Sequence, residues 1–455
     1  GAFYIALFSC WGVLALLMFS SGQRGGSAGF GLGMTSLEYA LSQFGIISRY
    51  LRLTFYPHPL ALDYGMWLAK TPGEIWPYVV LIVLLVVGTF WLWIRQPRWG
   101  FAAFFFWFTL GPTSSVVPLV TQTAAEHRMY LPLAGLIPFV VLGFTWLWSR
   151  MMENLLRKGW DVGPLAGFRV LLAVSIVGSL GWMSYERNKL YQDPIAIWKS
   201  NTEAWPQNPR AHSTLAWKLF ESGKYSEALE ACDTTLEIFE FPGIHFLKGE
   251  IFKQLGQTDQ MMVSYGDEIR FHPDHAPSYH NRGVARSLQG DLEGAEEDLI
   301  EATRLRPYYA AYFVNLGKVQ QQLKKNDQAL KSYSECLRIN PRQADIYQLR
   351  GALYEQIGQF AEAESDLSSV LELDPGSLPG YFSRGLLRRK QKNYRGSIDD
   401  FSQIIGVNSQ VGEAYEERAK TYLEMGEIER ARADASACQR LGMKLDEELL
   451  KRLML

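Results

Sequence analysis

The spacing of apolar positions changes character once along the chain, near residue 190. Before that point, unbroken apolar runs cover 2–19, 76–94, 100–120, 129–148 and 166–184. Each has the ~20-residue length that a hydrocarbon core demands of a helix, so five spans are predicted. The run at 100–120 is interrupted by GPTSS at 111–115, which predicts a kinked or re-entrant outer third. Between the first two runs, residues 22–33 are rich in Gly and Ser. Residues 37–55 then place Leu37, Ala40, Phe44, Ile47 and Leu51 at helical spacing, the pattern of an amphipathic helix lying on a bilayer. That outer segment closes in FYPHPLALDY at 55–64, where Pro57 and Pro59 forbid helix and hold His58 in an extended turn.

Beyond residue 190 the pattern becomes periodic. Gly249, Gly283, Gly317, Gly351 and Gly385 are each 34 residues apart, and so are Pro273, Pro307, Pro341 and Pro375. His245, Tyr279, Phe313, Tyr347 and Tyr381 stand four before each Gly, and Ala295, Ala329, Ala363 and Ser397 stand twelve after. The unit resembles the tetratricopeptide repeat, in which small residues at fixed offsets let two antiparallel helices cross closely and the proline ends the second. On that resemblance seven copies are expected over 209–443, with Ala216 at the Gly position of the first and Met261 at the small position of the second. The expected organisation is a membrane domain at 1–190 with an outer loop at 21–75, a linker helix at 191–208, the repeats, and a capping helix at 444–455. The fold class is all-α: a multi-span transmembrane helical domain followed by an α-solenoid.

Composition adds little beyond this split. The net charge is −2 over 455 residues, and no basic stripe with interleaved aromatics appears, so nucleic acid is not expected as a partner. Cys10, Cys232, Cys336 and Cys438 lack CxxC spacing, so neither a zinc site nor a disulfide framework is indicated. The three in the repeats fall at packing positions, where free Cys behaves as a small hydrophobe. Arg95 and Arg98 lie in one short loop, and Arg150, Arg157 and Lys158 in another. Both loops therefore read as cytoplasmic, which puts the repeats on the extracytoplasmic side. The chain opens at Gly1 inside an apolar run, so a longer parent chain is expected, of which this is the C-terminal part.

Two polar clusters stand at span entrances on that same outer side. One is Glu126-His127-Arg128, followed by Tyr130; the other comprises Arg52, His58, Asp63 and Tyr64. A bland reading is available for each: a head-group collar for the first, and a turn with a helix N-cap at Asp63 for the second. Taken together they supply a carboxylate, imidazoles, guanidiniums and phenols, a set suited to gripping a phosphate and moving a proton. The repeated Arg-Gly pairs at Arg282, Arg350 and Arg384 read as scaffold or concave-face residues.

The order RLTFYPHPLALDY, two apolar runs, AAEHRMYLPLAG, further runs and tandem repeats resembles the transmembrane and tetratricopeptide-repeat-containing O-mannosyltransferases and their bacterial relatives. These are GT-C-class membrane glycosyltransferases. The resemblance implies a polyprenyl-phosphate-linked sugar, mannose-like, as donor, a protein acceptor held by the repeats, and a bacterial inner membrane. No bound cofactor is expected in this part of the chain, no residue is assigned to a metal, and the need for a divalent metal is left open. Carried over residue by residue, the resemblance makes His58, His127 and Glu126 catalytic candidates, and Arg128, Tyr130 and Arg52 candidates for the donor lipid phosphate. Asp63 and Tyr64 would support the turn or the site. The alternative of another class is a membrane-anchored repeat scaffold without catalysis.

Overall fold

The computed structural model describes residues 36–55, 63, 72–110, 130–158, 163–445 and 447–453. They form helices and the turns between them, and no β-strand occurs among them. The chain divides into two compact units, Gly1–Gly256 and Gln257–Leu455.

In the first unit, α1 (Ser36–Phe55) precedes α2 (Pro72–Arg95), α3 (Pro97–Leu110), α4 (Tyr130–Arg157) and α5 (Gly163–Gln192). Pro97 ends the α2 hydrogen-bond ladder and opens α3. The chain folds back there because Gly100 has no Cβ, which would overlap the Trp93 backbone. Among the described residues one helix, Gly73–Arg95, is long and apolar enough to cross a membrane, with a mean hydropathy of 2.3. Helices α4 and α5 also present apolar side chains outward, among them Ile137, Val141 and Leu147, and Leu171, Val177 and Trp182. The run expected at 100–120 is helical as far as Leu110, and 111–129 and 2–19 lie outside the described residues.

Helix α1 differs from the bilayer-lying helix its pattern predicts. Ile46 and Tyr50 are buried against Phe106 of α3, with Leu136 of α4 and Trp205 packed around them. The Arg49 guanidinium lies 4.2 Å from the centre of the Trp205 ring. Amphipathic spacing reports that one face seeks cover; here protein covers it.

Helix α5 runs to Gln192, and α6 (Pro194–Ala204) starts after Asp193, whose carboxylate accepts from the Ile195 and Ala196 amides. The helix pair α7 (Pro209–Glu221) and α8 (Tyr225–Ile238) follows, then α9 (Ile244–Gln254). Ala216, Ala228 and Cys232 are fully buried where these helices cross.

The second unit opens with α10 (Thr258–Phe271). It continues in pairs: α11 (Ala276–Gln289) with α12 (Leu292–Leu305), α13 (Ala310–Gln322) with α14 (Asn326–Ile339), and α15 (Ala344–Gln356) with α16 (Phe360–Leu373). The pairs α17 (Leu378–Lys390) with α18 (Tyr394–Val407) and α19 (Gly412–Met425) with α20 (Ile428–Arg440) precede α21 (Glu447–Leu453). In the first four of these pairs a glycine lets the helices touch, and Ala419 stands at that place in α19. A Cβ on Gly317 would come within 2.6 Å of the Tyr333 ring, and one on Gly283 within 2.9 Å of Leu299. Opposite them Ala295, Ala329 and Ala363 are fully buried. Gly290, Gly358 and Gly426 make the intra-pair turn with positive φ; Lys324 and Lys392 hold the same left-handed position at φ 59° and 61°. The last helix turns Leu449 and Leu453 onto α20 and closes the end of the core.

Candidate functional site

The period that builds the helices also builds a polar lattice. Arg282, Arg350, Arg384 and Arg418 each lie one residue before the close-packing position of a first helix. Each grips an Asp 16 residues on, in the second helix of its own pair. Arg350 Nε and Nη2 donate to the two carboxylate oxygens of Asp366 at 2.8 and 2.7 Å. Arg282–Asp298, Arg384–Asp400 and Arg418–Asp434 repeat that two-pronged geometry. The remaining Nη1 reaches back to the preceding pair: Arg350 to Ser334 at 2.8 Å, Arg384 to Ser368 at 3.1 Å and Arg418 to Ser402 at 2.9 Å. Tyr279, Tyr347, Tyr381 and Tyr415 lie beside the guanidiniums at 5.6–5.9 Å from ring centre to carbon. The hydrogen bonds to Asp hold the Arg282, Arg350 and Arg418 guanidiniums above their ordinary pKa. These arginines are committed to stapling one repeat to the next, so they are scaffold. The pair α13–α14 has Leu316 and Ser332 in the corresponding places and uses a different tie, Ser332 donating to Gln320 at 2.7 Å.

First helices of neighbouring pairs meet through residues 35 apart, and these contacts mark the inner face. Asn315 Nδ2 donates to His280 Nε2 at 2.7 Å, and His280 Nδ1 pairs with Asn281 Oδ1 at 2.9 Å. An amide nitrogen can only donate and an amide oxygen only accept, so Nε2 accepts and Nδ1 donates in this pair of bonds. The imidazole stacks on Tyr312, ring centres 4.5 Å apart, and Tyr309 packs on Tyr312 at 4.6 Å. Further along, Ser287 pairs with Gln322, Lys390 with Glu355 and Arg389 with Glu424 at the same separation, and Arg389 also pairs with Glu417, 28 residues on. The row runs from amide and aromatic groups at α11 and α13 to mixed charges at α17 and α19.

A second polar node lies in the first unit. Asp63 is 1% exposed. Its backbone N–H donates to Asn201 Oδ1 at 3.1 Å, and its carbonyl accepts from Asn201 Nδ2 at 2.9 Å and Asn208 Nδ2 at 3.1 Å. Its carboxylate lies 3.5 Å from Arg210 Nη1. Asn208 at the same time caps α7, accepting from the Ala211 amide at 3.3 Å. The node ties Asp63 to α6 and α7.

Of the residues singled out in the sequence, Arg52 is exposed in the last turn of α1 and edges a hollow of about 190 Å³ with Ser48, Arg49 and Tyr78. Tyr130 is the first residue of α4. His58, Tyr64, Glu126, His127 and Arg128 lie outside the described residues. The structure thus places Arg52, Asp63 and Tyr130 in the first unit, and the rest of the two polar clusters lies outside the described residues. Among the described residues no group of His, Cys, Asp and Glu is arranged to hold a metal. The cysteine thiols are closed off as well: burial pushes Cys232 up to about 12 and Cys438 up to about 11. Asn201, Asn208 and Arg210 escaped sequence reasoning, since no local spacing links residues 138 apart. The stapling aspartates carried a visible signal, Asp366, Asp400 and Asp434 sharing the 34-residue period.

Paired helices, glycine crossings and a shared inner face define an α-solenoid of tandem repeats. Residues 276–309, 310–343 and 344–377 match the tetratricopeptide repeat, so 276–377 is built of tandem tetratricopeptide repeats. Tetratricopeptide repeat protein 36 of Mus musculus is 41% identical over 59 residues, 13% of this chain and 32% of that protein. Its Homo sapiens counterpart is 39% identical over 59 residues, so the match spans about a third of these curated relatives. Among solved structures, YrrB, described as a repeat protein with an unusual peptide-binding site, is 18% identical with a TM-score of 0.37. It aligns with 42% of this chain and 98% of its own. The C-terminal part of a repeat protein from Cytophaga hutchinsonii is 14% identical with a TM-score of 0.45, over 51% of this chain and 98% of that one. PilF of Pseudomonas aeruginosa is 20% identical with a TM-score of 0.37, over 47% and 97%.

Proposed function

We propose that this chain is a membrane-anchored adaptor whose repeats hold an extended protein segment on their inner face. The observation that carries the reading is the row His280, Asn281 and Asn315 with Tyr309 and Tyr312. It is fixed by its own hydrogen bonds and stands apart from the Arg–Asp staples. A solenoid presents such a surface along several repeats, and side-chain amides match the donors and acceptors of an extended backbone. The outward apolar side chains of α2, α4 and α5 support membrane anchorage by several spans, since so much exposed apolar surface is not stable in water. A peptide library selected on the full chain tests this. Bound peptides should lose about tenfold or more in affinity in Asn315→Leu, as expected when a buried polar partner goes unmade, and keep it in Glu355→Gln. Equal binding by both variants sinks the inner-face assignment.

A second reading is favoured by Asp63. Asp63, which lies in the stretch that resembles the O-mannosyltransferase motif, is fastened directly to α6 and the start of α7, as an enzyme presenting acceptor protein to a membrane-bound donor would need. In that reading a polyprenyl-phosphate sugar is the donor, Arg128, Tyr130 and Arg52 hold its phosphate, and Glu126, His127 and His58 handle the proton. The parent protein, given radiolabelled polyprenyl-phosphate sugars beside an Arg128→Ala control, should label protein only with Arg128 present. Label independent of Arg128 removes this assignment.

A further inference from the structure

The seam between α1 and α2 carries two hollows in line. The first, about 190 Å³, is edged by Ser48, Arg49, Arg52 and Tyr78. The second, about 240 Å³, is bounded by Leu51, by Leu85, Gly88 and Leu92 of α2, and by Phe106 and Trp107 of α3. Tyr78, Leu85 and Leu92 recur every seven residues, so one stripe of α2 leads from the first hollow into the second over a rise of ~21 Å. Chemistry changes sharply along that stripe.

At the Tyr78 end stand two guanidiniums. Arg49 is oriented over Trp205, and Arg52 is exposed and makes no ion pair among the described residues. Trp76 is also exposed at this end, and Arg95 lies at the other, the distribution of side chains at the two interfaces of a bilayer. Within the second hollow the polar groups are already paired: Trp107 Nε1 donates to Thr89 Oγ1 at 3.0 Å, and Thr89 donates to the Leu85 carbonyl at 2.8 Å. What remains there is apolar wall. Gly88 leaves it open, since a Cβ at that position would meet nothing within 4 Å. Leu84 and Leu85, 64% and 40% exposed, form a lip open to the side.

We propose that this seam holds one phosphate-headed anionic membrane lipid, with its phosphate at Arg52 and Arg49 and one chain lying along Leu85, Gly88 and Leu92. Arginine suits the head because its planar fork matches phosphate oxygens. The apolar cleft suits the chain because its polar groups, Thr89 and Trp107, are already paired with one another. The proposal rests on the membrane-spanning reading of α2 made above.

The test uses the full chain in detergent, incubated with vesicles of phosphatidylglycerol and phosphatidylcholine, repurified, and assayed for retained lipid by mass spectrometry. Phosphatidylglycerol should be retained in preference to phosphatidylcholine. Arg52→Gln should lower its retention about tenfold, the scale of a lost charge-assisted pair of hydrogen bonds. Gly88→Leu, which fills the cleft and leaves Arg52 in place, should lower it comparably. Undiminished retention in both variants, or equal retention of the two lipids, overturns the proposal. Carbonate extraction separates the two levels: a chain that stays in the membrane yet retains no lipid sinks this inference alone, whereas a chain released by carbonate sinks the anchorage on which it rests.

Discussion

At the scale of single residues, the stapling arginines show why a recurring charge need not be a site. Asp366 is 4% exposed and takes both prongs of Arg350. Arg350→Ala strands that carboxylate in a buried place, so a loss of about 3–5 kcal/mol is expected in denaturant melts. Arg350→Met combined with Asp366→Leu should recover most of it, because replacing both partners removes the desolvated charge as well; a double variant as unstable as the single would contradict the pairing. The thiols give a second residue-scale expectation. With Cys232 pushed up to about 12 and Cys438 up to about 11 by burial, neither forms thiolate near neutral pH. Both should resist iodoacetamide at pH 7.5 in the folded chain and react within minutes in denaturant; labelling of the folded chain at the denatured rate would contradict it. The arginines were legible in the sequence as members of the period. Their partners on the second helix share it, and only the geometry shows that Arg350, Arg384 and Arg418 also reach back a repeat.

At the scale of helices, the 34-residue spacing of Gly and Ala was sufficient to read the repeats, because close crossing admits few residue types and demands them at the same place in every copy. The glycines are not equivalent, however. A Cβ on Gly317 meets the Tyr333 ring at 2.6 Å, and Tyr333 is fully buried, whereas one on Gly351 meets Asp366 Cβ at 3.3 Å. Gly317→Ala should therefore cost about 1–3 kcal/mol as overpacking. Gly351→Ala should cost less, and its melting temperature should lie between those of the wild type and Gly317→Ala. The reverse order would mean that Tyr333 yields more easily than the second helix does. Helix α1 was legible as amphipathic and illegible as to what covers it. Periodicity registers a face, while its partners Phe106 and Trp205 arrive from elsewhere in the chain.

Over the whole molecule, two kinds of stabilisation should separate by experiment. One responds to pH. Burial holds the His275 imidazole below its ordinary 6.5, with Arg306 and His272 acting in the same sense and Glu268 and Asp274 against it. The unfolded chain then takes the proton more readily, so this contribution is complete above pH 6.5 and is lost as pH falls toward the folded value. Melting temperature should drop between pH 7.5 and 5.5, and His275→Gln should flatten that drop; an unchanged slope would assign it to other groups.

The other kind depends on the Asp63 node, where side-chain and backbone contributions differ. Asn201 satisfies both the backbone N–H and the carbonyl of Asp63, and these groups are buried. Asn201→Leu orphans the N–H and leaves Asn208 alone on the carbonyl, an expected cost of about 1–3 kcal/mol. Asp63→Asn keeps every backbone bond and loses the 3.5 Å approach to Arg210, whose side chain is 36% exposed, so it should cost about 1 kcal/mol or less. Limited proteolysis within 56–71 reads the difference: cleavage should quicken strongly in Asn201→Leu and little in Asp63→Asn. Equal cleavage would mean that the carboxylate holds the segment. The opposite order would make the Arg210 pair its principal tie. In both cases the fastening joins residues whose separation in sequence hid it, and it brings Asp63 to α6 and the start of α7.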